Sequence, residues 1–253
     1  MVKLRRPHNF LEQVPFIPFA HRGGTSDAPE NSLRSFLAAY ETGFRFMETD
    51  VHASSDGVLF AFHDNDLKRT CGQDVLIENL TSGEIEKYRV DGTDPIPKLT
   101  DLLESMPDAF FNIDCKADTA LQPLLRDLLA HNLLDRACIG SFSDRRLRAI
   151  RDEFGHRVCT SAGPREVTAI TIGAGVNPEG PNCLQIPMRQ GPINLASQRF
   201  IKRAHRMGFP VHYWTIDDPE NMNRLIKNGA DGIMTDHPKR LRNTLSEISK
   251  WPH

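Results

Sequence analysis

Eight short apolar runs, each followed in turn by a longer amphipathic segment, predict an α/β chain wound as a closed (β/α)8 TIM barrel. Parallel strands need a long crossover before each new strand can begin, and a helix is the usual way to make one. A second observation agrees. Side chains able to serve catalysis or binding, including His21, Glu48, Asp50, Asp114 and Trp214, gather at or near the carboxyl ends of the runs, where barrels of this type place their chemistry. The third is size: 253 residues can bury a substantial core without staples. No low-complexity tract or linker divides the chain, so one domain over residues 1–253 is expected.

In chain order the strands are expected at 17–21, 46–50, 110–116, 137–141, 157–161, 183–187, 211–215 and 232–235. Helical periodicity is expected over 31–42, 99–105, 121–131, 144–154, 164–170, 197–207, 219–228 and 239–249. Gly23 and Gly24 permit a tight turn after the first strand, and Asn31 is the expected cap of the first helix, with Glu30 a hydrogen-bonding neighbour of the site. One apolar run, 58–62, exceeds the count of eight. The turn signal Ser54-Ser55-Asp56-Gly57 before it predicts a hairpin that folds back on the second strand and returns His63 beside Glu48 and Asp50. The polar, turn-rich stretch that follows is too long for an ordinary barrel loop. An insertion over about residues 52–98 is therefore expected to form a small cap segment over the barrel mouth.

Composition narrows the partners. A net charge of -2, with 25% charged and 39% hydrophobic residues, is ordinary for a globular protein and offers no basic field for nucleic acid. Cys71, Cys115, Cys138, Cys159 and Cys183 form an odd set with no C-x-x-C pair and read as reduced core thiols, which favours a reducing compartment. Lys3, Arg5 and Arg6 precede a segment broken by Glu12, Gln13, Pro15 and Pro18, unlike the apolar heart of a signal peptide, and cleavage after Ala20 would leave His21 terminal. No run approaches the roughly 18 apolar residues of a membrane span. A cytoplasmic protein with no transmembrane segment is expected, with peripheral contact to lipid left open.

Glu48 and Asp50 lie two apart in a strand and share a face; Asn112, Asp114 and Lys116 do the same in the next barrel strand. Acids so close repel one another unless a positive charge stands between them. Three hard oxygen donors suit Mg2+ or Ca2+ rather than a metal that prefers soft ligands. A set of ion pairs with Lys116 and Arg22 would meet the same need without a metal. His21 and His63 are the natural proton carriers, since imidazole titrates near neutrality and can serve as base and acid on opposite sides of a reacting group. Arg22 offers a donor fork that matches phosphate oxygens and Lys116 a point charge, so a phosphate ester is the implied substrate. Trp214 can present an apolar face to its alcohol portion, or simply pack. The other histidines, His52, His205, His212 and His237 among them, have no comparable partners in the sequence.

Taken in order, His21-Arg22-Gly23, Pro29-Glu30-Asn31, Glu48-Thr49-Asp50-Val51, Asp56-Gly57, His63-Asp64, Asn112-Ile113-Asp114-Cys115-Lys116, Trp214-Thr215 and 232–236 resemble the glycerophosphodiester phosphodiesterase family. The resemblance runs from Ala20 to Pro238. It implies a barrel with an insertion after its second strand, a divalent metal ion, and hydrolysis of glycerophosphodiesters to glycerol 3-phosphate and an alcohol. By matching position it gives His21 and His63 the acid/base roles and Glu48, Asp50 and Asp114 the metal. The family usually has Glu where this chain has Asp114, one methylene shorter, and Thr where it has Ser32. A lysophospholipid is the alternative substrate, cleaved as by lysophospholipase D relatives. A phosphate-binding barrel without catalysis would be expected to have lost a histidine or an acid, and here every position is filled.

Overall fold

The computed structural model describes residues 8–177 and 180–252; Lys3, Arg5 and Arg6 lie outside them. Eight parallel strands form the barrel: β1 (Ile17–His21), β2 (Phe46–Ala53), β3 (Phe110–Cys115), β4 (Ala137–Gly140), β5 (Cys159–Thr160), β6 (Leu184–Ile186), β7 (Val211–Tyr213) and β8 (Gly232–Thr235). They pair in the order β5-β4-β3-β2-β1-β8-β7-β6. A single bridge, Ser161 to Cys183, joins β5 to β6 and closes the ring. The register is set by long ladders elsewhere, as where Glu48 pairs with Asn112 and Asp50 with Asp114.

The helices α1 (Leu33–Glu41), α2 (Leu99–Ser105), α3 (Leu121–Ala130), α4 (Asp144–Phe154), α5 (Pro164–Ile172), α6 (Gln198–Arg206), α7 (Pro219–Asn228) and α8 (Pro238–Glu247) follow the strands in sequence. Each amphipathic stripe buries its apolar side against the barrel's outer face, as Phe36 and Ala39 of α1 pack in one cluster with Ala20 and Met47. Starts are marked by side chains that satisfy free amides: the Ser32, Ser143 and Ser197 hydroxyls and the Asp218 carboxylate accept from backbone N–H groups of α1, α4, α6 and α7. The cap of α1 is thus Ser32, not Asn31. Asn31 sits one residue earlier in the left-handed region (φ 55°), a conformation its short amide side chain tolerates, and turns inward to donate to Asp50.

Strand alternation separates two environments. Inward residues Ile17, Phe19, Phe46, Cys138, Cys159, Cys183 and Met234 fill the barrel's lower interior. A short helix, Asn9–Glu12, sets Phe10 against Phe19, Phe46 and Phe110 at ring distances of 6.3, 5.4 and 5.9 Å. The opposite, carboxyl end is left for polar groups.

The hairpin after β2 forms as expected. Leu59–Ala61 pairs antiparallel with β2, placing Val51 opposite Ala61, and the Phe62 amide donates to the Asp50 carbonyl. The insertion after β2 is present as expected. It packs a small core of its own from Phe60, Phe62, Leu67, Ile77, Ile85, Val90 and Ile96, and of its residues only His63 lines the cavity at the barrel mouth. Arg69 of the insertion reaches the barrel mouth, where it pairs with Asp64 and Glu30. A second small hairpin, Arg189–Gln190 with Ile193–Asn194, went unread in the sequence and brings Gln190 to the cavity wall. Among the described residues no helix is long and apolar enough to cross a membrane, and all five cysteines are free thiols.

Candidate active site

All eight residues singled out in the sequence, His21, Arg22, Glu48, Asp50, His63, Asp114, Lys116 and Trp214, line one cavity of about 340 Å3 at the carboxyl end of the barrel. β1 delivers His21 at its last position. The chain then turns through Arg22, held at φ 51°, and Gly23, at φ 79°. A side chain at Gly23 would put its Cβ 2.4 Å from Ser35 Oγ and 2.7 Å from the Phe36 amide nitrogen, so glycine here serves both the turn and the close approach of α1. The Arg22 amide donates to the Glu48 carbonyl (2.9 Å) and to Glu48 Oε2 (3.1 Å), which fixes the loop to β2.

Both histidines are oriented by carboxylates. Asp236, just beyond β8, accepts from His21 Nδ1 at 2.6 Å, and Asp64 accepts from His63 Nδ1 at 2.6 Å. Such a partner fixes the proton on Nδ1 and leaves Nε2 for the cavity. Nε2 of His21 stands 3.7 Å from Glu48 Oε2. Asp64 is steadied in turn by Arg69, which also grips Glu30 through two nitrogens, while Glu30 accepts from Arg22. Asp236 and Asp64 appear in the sequence motifs, but their service to the histidines was not foreseen; Asp64 directly follows His63, whereas Asp236 lies far from His21 in sequence and was marked only by its place in the 232–236 motif.

The acids are buried and share positive charge. Lys116 Nζ bridges Asp50 Oδ1 at 2.8 Å and Asp114 Oδ2 at 2.9 Å, while Arg22 Nε lies 3.1 Å from Asp50 Oδ2 at an angle that makes no hydrogen bond. Burial alone would raise the Asp50 carboxyl, but Lys116 and Arg22 outweigh it and hold it below its ordinary value. Burial lifts Asp114, against the pull of Lys116. Glu48 has no such clamp: burial, and then the nearby Asp50 charge, push its carboxyl up to about 7. For His21, burial disfavours the imidazolium, yet the Glu48 charge and the Asp236 hydrogen bond prevail and raise it above 6.5.

Can these acids take a hard cation? The donors are all oxygens, and Asp114 Oδ1 is buried with no hydrogen-bond partner, which is the unfilled capacity an ion uses. They are held more loosely than a closed metal cage. Among the described residues, the side chains whose ligand atoms come within 4.8 Å of one another as a group of three or more are Cys138, Cys159 and Cys183 instead. Lys116 occupies the gap between Asp50 and Asp114, and as a point charge on a flexible stem it can yield that gap. By the chemistry of its donors the set fits.

The far wall is apolar, built from Phe142, Ala162, Val167, Ile186, Pro187 and Trp214. Phe142 is 66% exposed and meets the Trp214 ring edge-on at 5.9 Å. It was missed because it lies in a loop after β4 with no periodic signal.

The family model for the glycerophosphoryl diester phosphodiesterase family matches residues 21–240. This chain belongs to that family. It is 35% identical over 251 residues to the protein named probable glycerophosphodiester phosphodiesterase 2 in Mycobacterium tuberculosis, an alignment covering 96% of this chain and 95% of that one. It is 24% identical to a lysophospholipase D of Rattus norvegicus, over 97% of this chain and 90% of the relative. In fold it resembles a glycerophosphodiester phosphodiesterase from Parabacteroides distasonis, with a TM-score of 0.76 at 23% identity over 93% of this chain and 99% of the other. An Oleispira antarctica phosphodiesterase solved with the product sn-glycerol-3-phosphate superposes with a TM-score of 0.71 at 20% identity, over 91% and 96% of the two chains. As a member of the family, the protein is an enzyme of the phosphoric diester hydrolase class, a glycerophosphodiester phosphodiesterase.

Proposed function

We propose that this phosphodiesterase hydrolyses glycerophosphodiesters to sn-glycerol 3-phosphate and a free alcohol, using a divalent metal ion, Mg2+ or Ca2+, and His21 and His63 as its proton carriers. One observation carries the reading: two histidines, each aligned by its own carboxylate at 2.6 Å, open into the same cavity as three buried acids, an arginine and a lysine. Glu48, Asp50 and Asp114 are the residues that would hold the ion. When bound, it supplies positive charge for the phosphoryl oxygens as charge builds there.

The rest is done by the chain itself. Arg22 and Lys116 bind and orient the phosphodiester. One histidine accepts the proton of the attacking oxygen at Nε2, and the other donates a proton to the departing alkoxide. Asp236 and Asp64 keep the Nδ1 protons in place, so each ring works at a single nitrogen. Trp214 and Phe142 bound the alcohol portion.

The apolar wall supports a second reading, that a lysophospholipid is accepted as well, its acyl chain leaving the mouth beside Phe142. Phosphorus NMR of products from glycerophosphocholine and from a lysophosphatidylcholine, both below micelle-forming concentrations, tests both readings. Release of glycerol 3-phosphate from glycerophosphocholine is expected. Release of phosphocholine in its place would reject the proposed bond cleavage, and turnover of the lysolipid alone would favour the second reading.

A further inference from the structure

Below the floor of the active-site cavity lies a group of side chains that hydrolysis does not use. Cys138 on β4, Cys159 on β5 and Cys183, immediately before β6, point into the barrel interior, fully buried. Their sulfur atoms lie within 4.8 Å of one another, and Cys138 Sγ is 3.9 Å from Cys183 Sγ. His212 on β7 is fully buried as well, packs against the Phe19 ring at 5.2 Å, and has no hydrogen-bond partner among the described residues on either ring nitrogen, though its ring lies outside the 4.8 Å sulfur group. A buried imidazole with both nitrogens unsatisfied is costly.

We propose that Cys138, Cys159, Cys183 and His212 form a structural Zn2+ site in the barrel interior, separate from the carboxylate site above it. Three thiolates and one imidazole are a common closed ligand set for zinc. Soft sulfur donors select zinc over the hard cations suited to the carboxylates. The sulfur spacing fits too, with His212 closing on the three sulfurs as the fourth ligand. Four ligands in a tetrahedron with Zn–S bonds of about 2.3 Å put sulfurs roughly 3.8 Å apart, against the 3.9 Å between Cys138 and Cys183. On binding, each ligating thiol passes its proton to solvent and gives its sulfur lone pair to the ion, while His212 ligates as the neutral imidazole.

The position gives the ion a structural task. The β5–β6 seam carries one ladder bridge, Ser161–Cys183, with backbone hydrogen bonds from Ala162 to Cys183 and from Asn182 to Thr160, whereas β2 and β3 share a six-pair ladder. An ion ligated from β4, β5, the start of β6 and β7 spans that seam on both sides. Gln185 joins the two levels, donating to Asn112 Oδ1 at 2.6 Å and approaching Cys138 Sγ at 3.8 Å, so the floor of the active site rests directly on the cysteine group.

The test uses the full chain produced in zinc-supplemented medium under reducing conditions, then freed of loosely held metal with a chelator. X-ray absorption at the zinc edge, with metal content by mass spectrometry, is the readout. About one retained zinc per chain with sulfur neighbours near 2.3 Å is expected, and Cys159→Ala and His212→Phe should each lower that occupancy severalfold. Because a core variant can fail to fold, the wild-type spectrum decides alone. Zinc with only oxygen and nitrogen neighbours, or no retained zinc in folded protein, overturns the proposal; the sulfur-ligated signal should persist in Asp50→Asn, and its loss there would place the ion at the carboxylates and overturn the proposal as well.

Discussion

At the scale of the residue, the histidines depend on neighbours that sequence spacing did not reveal. Asp236 lies far along the chain from His21, yet accepts its Nδ1 proton at 2.6 Å. Asp236→Asn should leave the fold intact and cut kcat by about 10- to 100-fold, the usual cost of losing such an orienting partner, measured by steady-state kinetics on glycerophosphocholine. His21→Ala and His63→Ala should each cost roughly 100- to 10,000-fold; full activity in either would remove it from the proton-transfer role. The pH dependence follows from burial. Glu48 keeps its proton up to about 7 in the folded chain against an ordinary 4.5, so the folded state binds the extra proton, and the stability of metal-free protein should fall as pH rises from 4.5 to 7. His21, raised above 6.5, adds stability below 6.5 that is lost as pH climbs through its folded value. Thermal melts of chelated protein across that range should show the decline, and Glu48→Gln should flatten the lower part of it. What could be read at this scale was residue type and face: alternation put Glu48 with Asp50 and Asp114 with Lys116. It could not show which cation stands between them, because that is settled by side chains from different strands.

At the scale of the element, the strands and helices were readable because periodicity is a local signal, and the hairpin after β2 was readable because its turn chemistry is local too. Its turn is locked from outside the hairpin: the Asp56 carboxylate accepts from the Ser54 hydroxyl and from both the amide and hydroxyl of Ser82. Those hydrogen bonds, with Ser54 first, lower the Asp56 pKa to about 2 from 3.8. A depressed carboxyl contributes its stability fully above the ordinary value and loses it as pH falls through the folded one. Acid unfolding between pH 4 and 2 should therefore be less steep in Asp56→Asn. In the β1–α1 loop, Gly23→Ala should cost about 1–3 kcal/mol, from positive φ and collision with Ser35, and should lower activity by displacing Arg22; denaturant melts and kinetics check both. The misses have physical causes. Asn31 was expected as the cap because capping residues look alike in sequence, and the preceding left-handed position is visible only in the backbone. The insertion's length was clear in the sequence, while the private core its apolar residues form was not.

At the scale of the molecule, eight strand signals implied closure, since an open sheet of that length would leave two edges. The weak β5–β6 seam and the Phe10 plug depend on contacts between distant segments and leave no local trace. Phe10→Ala should destabilise the barrel by about 3–5 kcal/mol while leaving the active-site end in place, read as a lower melting temperature with near-normal KM. Closure holds acids of β2 and β3 beside the histidines of β1 and the hairpin in one cavity, the arrangement that the proposed metal-assisted hydrolysis requires. The rate of glycerol 3-phosphate release from glycerophosphocholine, followed before chelation, after it, and after adding back Mg2+ or Ca2+, tests that arrangement most directly. The rate should fall to background on chelation and return with the hard cation; an undiminished rate in protein shown to be metal-free would contradict it.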